Sequence, residues 1–398
     1  MAAPRPIAVY EPDPDRQQHI RRAVESWQGG FQLRWWSQAK EFQRDLPDFL
    51  PRVALIVLAD DVALQRWLSN LEPVCSVTCA TADLLEAGGW PVTGQLGPPP
   101  DPHPGLERMR RSLLGLAIGD SLGEMLSYGA VAAPDRMREP DFPGAPLYHT
   151  DDSEMALALC SILRAHQTVH QDALAARFAR RFLLDPDRGY GKMTRIQLRE
   201  MLDGADWRCL SKSAFNGQGS MGNGSAMRVA PLGAFFADDL ELCIQQARAS
   251  SEVTHGHSEA IAGTIAVAVA AALACRTSSI PLPEVIKHVP ESEVRRRLEQ
   301  AQGLSGTHLE AAKTLGCGAQ VTAQDTVPFC LWLAATSNNY PEAIGWAIQA
   351  DGDCDTCAAI TGGLLALTAP STVPQPWVRR LESSIRGHGQ RIEESSQN

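Results

Sequence analysis

The sequence predicts a multidomain chain, a small parallel α/β unit followed by a larger all-α one. Three observations carry this. Short β-branched runs alternate with polar helical stretches near the N-terminus, proline crowds residues 95–105, and beyond that point apolar residues recur only at helical spacing. A chain of 398 residues is also long for a single core.

The first domain, 1–94, is built from strands at 6–10, 31–36 and 53–58, each followed by a helical stretch near 13–27, 38–46 and 62–71. Its outline resembles a response-regulator receiver, with Glu11 and Asp13 after the first strand and Asp60 after the third. A receiver also needs a late-strand lysine, and Lys40 is the only lysine before residue 192. The acids are therefore read as helix caps, and this domain is assigned no chemistry. Residues 95–105 hold five prolines, which sustain neither helix nor central strand, so they form a linker.

The second domain, 106–386, opens with Leu106, Met109, Leu113, Leu114, Ala117 and Ile118 at helical spacing. Further helices are expected near 152–167, 172–184, 192–203, 238–250, 258–276, 291–302, 325–337, 341–350 and 355–368. Glycine and alanine sit on many apolar faces and let helix backbones approach closely. Residues 387–398 form a polar tail.

Composition excludes several roles. A net charge of −10 without a lysine- or arginine-rich block argues against a nucleic-acid backbone as partner. The longest apolar stretch, 260–275, is alanine-rich and shorter than a bilayer span, so it reads as a buried helix and not a membrane anchor. The N-terminus lacks the pattern of a signal peptide, and ten scattered cysteines do not make a disulfide scaffold, so a reducing cytoplasm is expected. The oligomeric state is left open.

Two oxygen-rich clusters each open an apolar helix. Thr150, Asp151 and Asp152 precede one, and Asp353, Asp355 and Thr356 precede the other. Adjacent carboxylates repel, and acids plus hydroxyls without a histidine or cysteine array suit a hard cation such as Mg²⁺, Ca²⁺ or Mn²⁺. Two such clusters can hold a pair of metals. The competing reading is that Asp152 and Asp355 are helix caps.

Between them lies Phe215 to Arg228, with four glycines. Its backbone N–H groups, with Ser220, Asn223 and Ser225, can cradle a pyrophosphate, but it matches neither a P-loop nor a dinucleotide fingerprint, and taken alone it reads as a flexible connector. His255 and His257 head the alanine-rich helix, either presenting a histidine to a ligand or capping the helix. Cys354 and Cys357 read as incidental small residues.

Taken together, Gly115–Gly123, Thr150–Met155, Gly189–Gly191, Gly219–Pro231, Thr254–His255 and Gly352–Thr356 resemble, in family order, the ADP-ribosylglycohydrolases. The resemblance implies an orthogonal all-α fold with two Mg²⁺ ions (Mn²⁺ as substitute) on Thr150, Asp151, Asp152, Asp353, Asp355 and Thr356. It implies a loop of Gly219, Ser220, Met221, Gly222 and Asn223 around the ADP-ribose phosphates, and a ligand-contacting His255. The implied reaction is release of ADP-ribose from a modified protein or a small ADP-ribosyl conjugate by water attack at the anomeric carbon, with Asp151 and Asp152 in the catalytic set. Many members carry a glutamate where this chain has Ser127; Glu124 is the acid that stands nearest in sequence and is assigned that catalytic place. Met221 stands where the serine-linkage branch has an aromatic. A non-catalytic ADP-ribose or nucleotide sensor and a two-metal phosphoesterase are the alternatives.

Overall fold

The structure is a computed structural model describing residues 103–139 and 142–382, together with four strands nearer the N-terminus. The chain divides into two compact units, Met1–Pro102 and His103–Asn398.

In the first unit, β1 (Arg5–Tyr10), β2 (Phe31–Trp36), β3 (Leu55–Leu58) and β4 (Thr78–Thr81) form one parallel sheet in the order β2-β1-β3-β4. Ile7 pairs with Leu33 on one side and Leu55 on the other, so the apolar runs align across the sheet. β4 is too short and polar to stand out as an apolar run. The helices expected between the strands, and Glu11, Asp13 and Asp60, lie outside the described residues.

The second unit is helical. Its elements include α1 (Gly105–Leu126), α2 (Asp151–His166), α3 (Gln171–Leu184), α4 (Lys192–Leu202), α5 (Trp207–Gly217), α6 (Ala230–Phe235), α7 (Leu240–Glu252), α8 (Ser258–Thr277), α9 (Ala323–Thr336), α10 (Tyr340–Gln349) and α11 (Cys354–Thr368). α1 begins at Gly105, inside the stretch expected as linker. α5 and α6, and short helices at Leu282–His288 and His308–Leu315, have no counterpart among the expected helices. Each is too short or too interrupted for periodicity to accumulate.

α8 is the apolar helix of residues 260–275, and its residues 260–274 are all buried in the core of this unit. The most extensive crossing is between α1 and α11. Gly115, Gly119 and Gly123 repeat every four residues along one face of α1, and α11 lies directly on it. A Cβ on Gly119 would stand 2.1 Å from the Ala358 carbonyl oxygen, and one on Gly115 would stand 2.4 Å from that of Gly362. Only bare backbone fits this approach. At the end of the stripe, Gly123 lies against Asp355 and Cys354. The crossing thus brings Asp120 of α1 to the acidic start of α11.

Candidate active site

The two acid clusters converge. Thr150 is the N-cap of α2, and its side chain accepts from the Asp152 N–H at 3.3 Å. Asp151 and Asp152 occupy the first helical turn, not the preceding loop, and both are buried. Because Thr150 performs the capping, Asp152 does not, and its Oδ1 is a buried atom with no hydrogen-bond partner. Asp353 holds the N-cap position of α11, yet its side chain makes no capping bond. Asp355 accepts from the Thr356 N–H at 2.9 Å. Helix capping therefore leaves Asp152 and Asp353 unexplained.

Asp120 braces the first cluster from behind. Its carboxylate accepts from the Thr150 N–H at 3.0 Å, the Thr150 hydroxyl at 2.7 Å, the Ser153 N–H at 3.1 Å and the Ser153 hydroxyl at 2.5 Å. Sequence reasoning gave Asp120 no role; the signal was its place in the Gly-Asp-Ser-Leu-Gly run. The second cluster is tied to the glycine-rich loop instead. Asn223 donates from one amide nitrogen to Asp353 Oδ2 at 2.6 Å and to the Thr326 hydroxyl at 3.0 Å.

These carboxylates have each other as neighbours. Burial first, then the charges of Asp355 and Asp120, hold the Asp151 and Asp152 carboxyls well above the usual range. Burial and the hydrogen bond and charge of Asp355 push Asp353 up to about 8. Burial and the charge of Asp355 raise Asp120 to about 6, against the hydrogen bonds from Ser153 and Thr150. Glu154, one turn along α2, is the contrast. Burial would raise it too, but the hydrogen bond from His149 and the charge of Arg181 bring it down to about 2. Glu154 is neutralised by Arg181 and His149, whereas the cleft acids crowd without a cation.

Such a set, hard oxygen donors with one orphaned oxygen, fits a divalent cation by donor chemistry. It is not a closed cage: among the described residues no three His, Cys, Asp or Glu side chains converge as a preformed metal centre.

Beside the acids opens a cleft of about 560 Å³, the size of a small-molecule or nucleotide site. Asp151, Asp152, Asp353, Asp355 and Thr356 line one end, and Gly219 to Gly224 and His255 form one wall. Thr150 anchors the acid end from outside the lining. The glycine-rich loop is held open by pairing with 321–323: Asn223 donates to the Val321 carbonyl at 3.3 Å, and Ala323 donates to that of Met221 at 3.0 Å. Gly222 and Gly224 lie over the His255 ring, and a Cβ on Gly224 would stand 2.9 Å from its Nε2. The two histidines divide the readings open to them: His257 caps α8 by accepting from the Glu259 N–H at 3.1 Å, and His255 lines the cleft. Burial, then the charge of Arg228, lowers the His255 pKa to about 3.

Three lining features were not anticipated. Phe215 is exposed at the cleft with a left-handed φ of 51°, Lys192 faces it from the start of α4, and Val321 lines it with a φ of 54°. A β-branched residue in the left-handed region is strained and persists only where its surroundings impose it. Glu124 is corrected: it is exposed on the last turn of α1 and is not among the residues lining the cleft. Ser127 turns its hydroxyl back to the Glu124 carbonyl at 2.9 Å.

Residues 101–397 match the sequence profile of the ADP-ribosylglycohydrolases. The protein belongs to the ADP-ribosylglycohydrolase family of enzymes. Its similar relatives include human ADP-ribosylhydrolase ARH3, 28% identical over 70% of this chain and 90% of that protein. An uncharacterised protein of Archaeoglobus fulgidus is 30% identical over 69% of this chain and 92% of its own length. The ADP-ribosylarginine hydrolase Tri1 of Pseudomonas putida is 27% identical over 70% of this chain and 76% of that one. A solved ADP-ribosylglycohydrolase-related protein complex superposes with a TM-score of 0.56 at 25% identity, over 71% of this chain and 95% of that one. The matches leave most of the strand-bearing unit aside.

Proposed function

We propose that this cleft hydrolyses an ADP-ribosyl linkage, releasing ADP-ribose from a modified side chain or a small ADP-ribosyl conjugate. The observation that carries the reading is the junction of a crowded, cation-demanding acid cluster with a glycine-rich wall in one nucleotide-sized cleft. Relatives named as ADP-ribosylhydrolases support it.

The chain's own groups divide the work. Backbone N–H groups of Gly219 to Asn223, with the Ser220 hydroxyl, would bind the pyrophosphate, and Phe215 offers an aromatic face to the base. Thr150, Asp151, Asp152, Asp353, Asp355 and Thr356 would hold two Mg²⁺ or Mn²⁺ ions. When bound, such ions orient a water and offset the acids' charge. Asp151 or Asp152 would take the proton of the attacking water, and the carboxylates would stabilise the oxocarbenium-like centre. The water oxygen would bond to the anomeric carbon as the bond to the acceptor breaks, and the proton taken from the water would pass from the carboxyl to the departing acceptor, which leaves neutral.

The test is ADP-ribose release from ADP-ribosylated arginine and serine peptides, with Mg²⁺ and with EDTA. Release that EDTA abolishes is expected; no release from either peptide by folded protein in Mg²⁺ would overturn the reading. The exposure of Glu124, with Ser127 in the place of the family's glutamate, favours a second reading, a sensor that binds ADP-ribose without turnover. Calorimetric binding of ADP-ribose in the absence of any hydrolysis would select it.

A further inference from the structure

Beneath the glycine-rich loop lies Arg228, the largest fully buried side chain of the described residues. Its hydrogen bonds go to neutral groups, and the Asp151 carboxylate is the charge that offsets its burial. Nη1 donates to the Gly224 carbonyl at 3.2 Å, and Nη2 donates to the Ser250 carbonyl at 2.9 Å and to the Thr254 hydroxyl oxygen at 3.0 Å. The guanidinium also lies over the Phe178 ring, 4.4 Å from its centroid. A charge buried on such partners is costly to hold, which points to a task for it.

The task follows from donor bookkeeping. Arginine only donates, so the Thr254 oxygen accepts from it. The same oxygen lies 2.7 Å from His255 Nδ1, and Thr254 is fully buried. If Nδ1 carried the proton, the Thr254 hydroxyl hydrogen would lose the acceptor at that distance, a costly outcome in a buried place. The hydroxyl therefore donates to Nδ1, and the ring proton resides on Nε2, which faces Gly222 and Gly224. We propose that Arg228 and Thr254 are positioning residues that lock His255 as the neutral Nε2–H tautomer, backing the glycine-rich loop with a fixed hydrogen-bond donor for an acceptor oxygen of the ligand.

The ligand half of this rests on the cleft being an ADP-ribose site; the position of the proton does not. Around the ring, Arg228 and Thr254 lie on the Nδ1 side, His257 follows in the chain, and Asp151, Asp353, Asp355 and Lys192 line the same cleft. Burial of the ring, then the Arg228 charge, disfavours imidazolium, so the donor persists across the range in which an ordinary histidine titrates.

The experiment is nitrogen NMR of the full chain labelled with ¹⁵N-histidine, with the His255 signals identified by their loss in His255→Gln. A bare Nδ1 and protonated Nε2, unchanged between about pH 5 and 8, are expected. Thr254→Val should mix the tautomers and weaken calorimetric ADP-ribose binding about tenfold, and Thr254→Ser should restore both. A proton on Nδ1 in the wild type overturns the proposal without recourse to a variant. So does a Thr254→Val protein that keeps both tautomer and affinity. If the wild type shows the expected tautomer but binds no ADP-ribose, the cleft reading and the ligand role fail while the proton assignment stands.

Discussion

The two acid clusters look alike in sequence and are held in opposite ways. Thr150-Asp151-Asp152 is buried and braced from behind by Asp120, whose four accepted hydrogen bonds pin the start of α2. Asp353 and Asp355 are less deeply buried, and Asp353 is tied through Asn223 to the glycine-rich wall of the cleft. One cluster belongs to the scaffold and the other to the cleft's responsive side. Similar residues are thus anchored differently, one cluster to a helix crossing and the other to the cleft wall.

The sharpest way to break this comparison is at Asp152. Asp152→Ala should lower kcat/KM about a thousandfold, while the metal-free thermal midpoint stays level or rises because a repelled carboxylate is gone. Retained turnover would remove Asp152 from the reacting set. Asp120→Ala should strike the scaffold side, costing about 2–4 kcal/mol in urea unfolding because it strands several buried donors, with activity falling alongside. Asn223→Ala should touch the responsive side alone: ADP-ribose affinity falls about tenfold by calorimetry, with stability altered by only about 1 kcal/mol.

Acidity offers a gentler probe of the same contrast. Asp120 and Asp353 keep their protons to about 6 and about 8 in the folded chain, against an ordinary 3.8, so unfolding releases protons. The stability these two acids contribute without metal should therefore be full below about pH 4 and decline as pH rises, levelling past about 8. Added Mg²⁺ should flatten or reverse that decline in thermal melts, because a cation prefers the deprotonated acids. A metal-free protein equally stable at pH 5 and 8 would contradict the crowding. The smallest effect is expected at Glu124→Gln, exposed and outside the cleft, whose kcat/KM should stay within about twofold of wild type.

Much of this site is readable from the chain because its parts are local. Thr150 to Asp152 and Asp353 to Thr356 each sit at the start of an apolar helix, where composition and position speak together. The glycine-rich loop announces itself by its spacing. Asp120 does not, because its partners lie 30 and 33 residues away across a helix crossing that no window of sequence contains. Arg228 reads as the last residue of a motif until burial reveals that it touches Thr254. The segment 321–323 is illegible for a related reason, since its shape depends on backbone pairing with Met221 and Asn223 and on a strained Val321. Glu124 was placed by proximity in sequence, but residue 124 of a helix whose buried face runs through Gly115, Gly119 and Gly123 points elsewhere.

The glycine stripe of α1 also acts as a gauge of tolerance. At Gly119 a single methyl group would find a carbonyl oxygen 2.1 Å away, so the two helices would have to part by more than an ångström to admit it. Asp120 rides on one helix and Asp355 on the other. A displacement of about that size, imposed far from any reacting atom, is enough in enzymes to cost about a hundredfold in rate. The spacing of the acids is therefore inherited from bare backbone, and the smallest residue in the chain sets the reach of its most reactive ones.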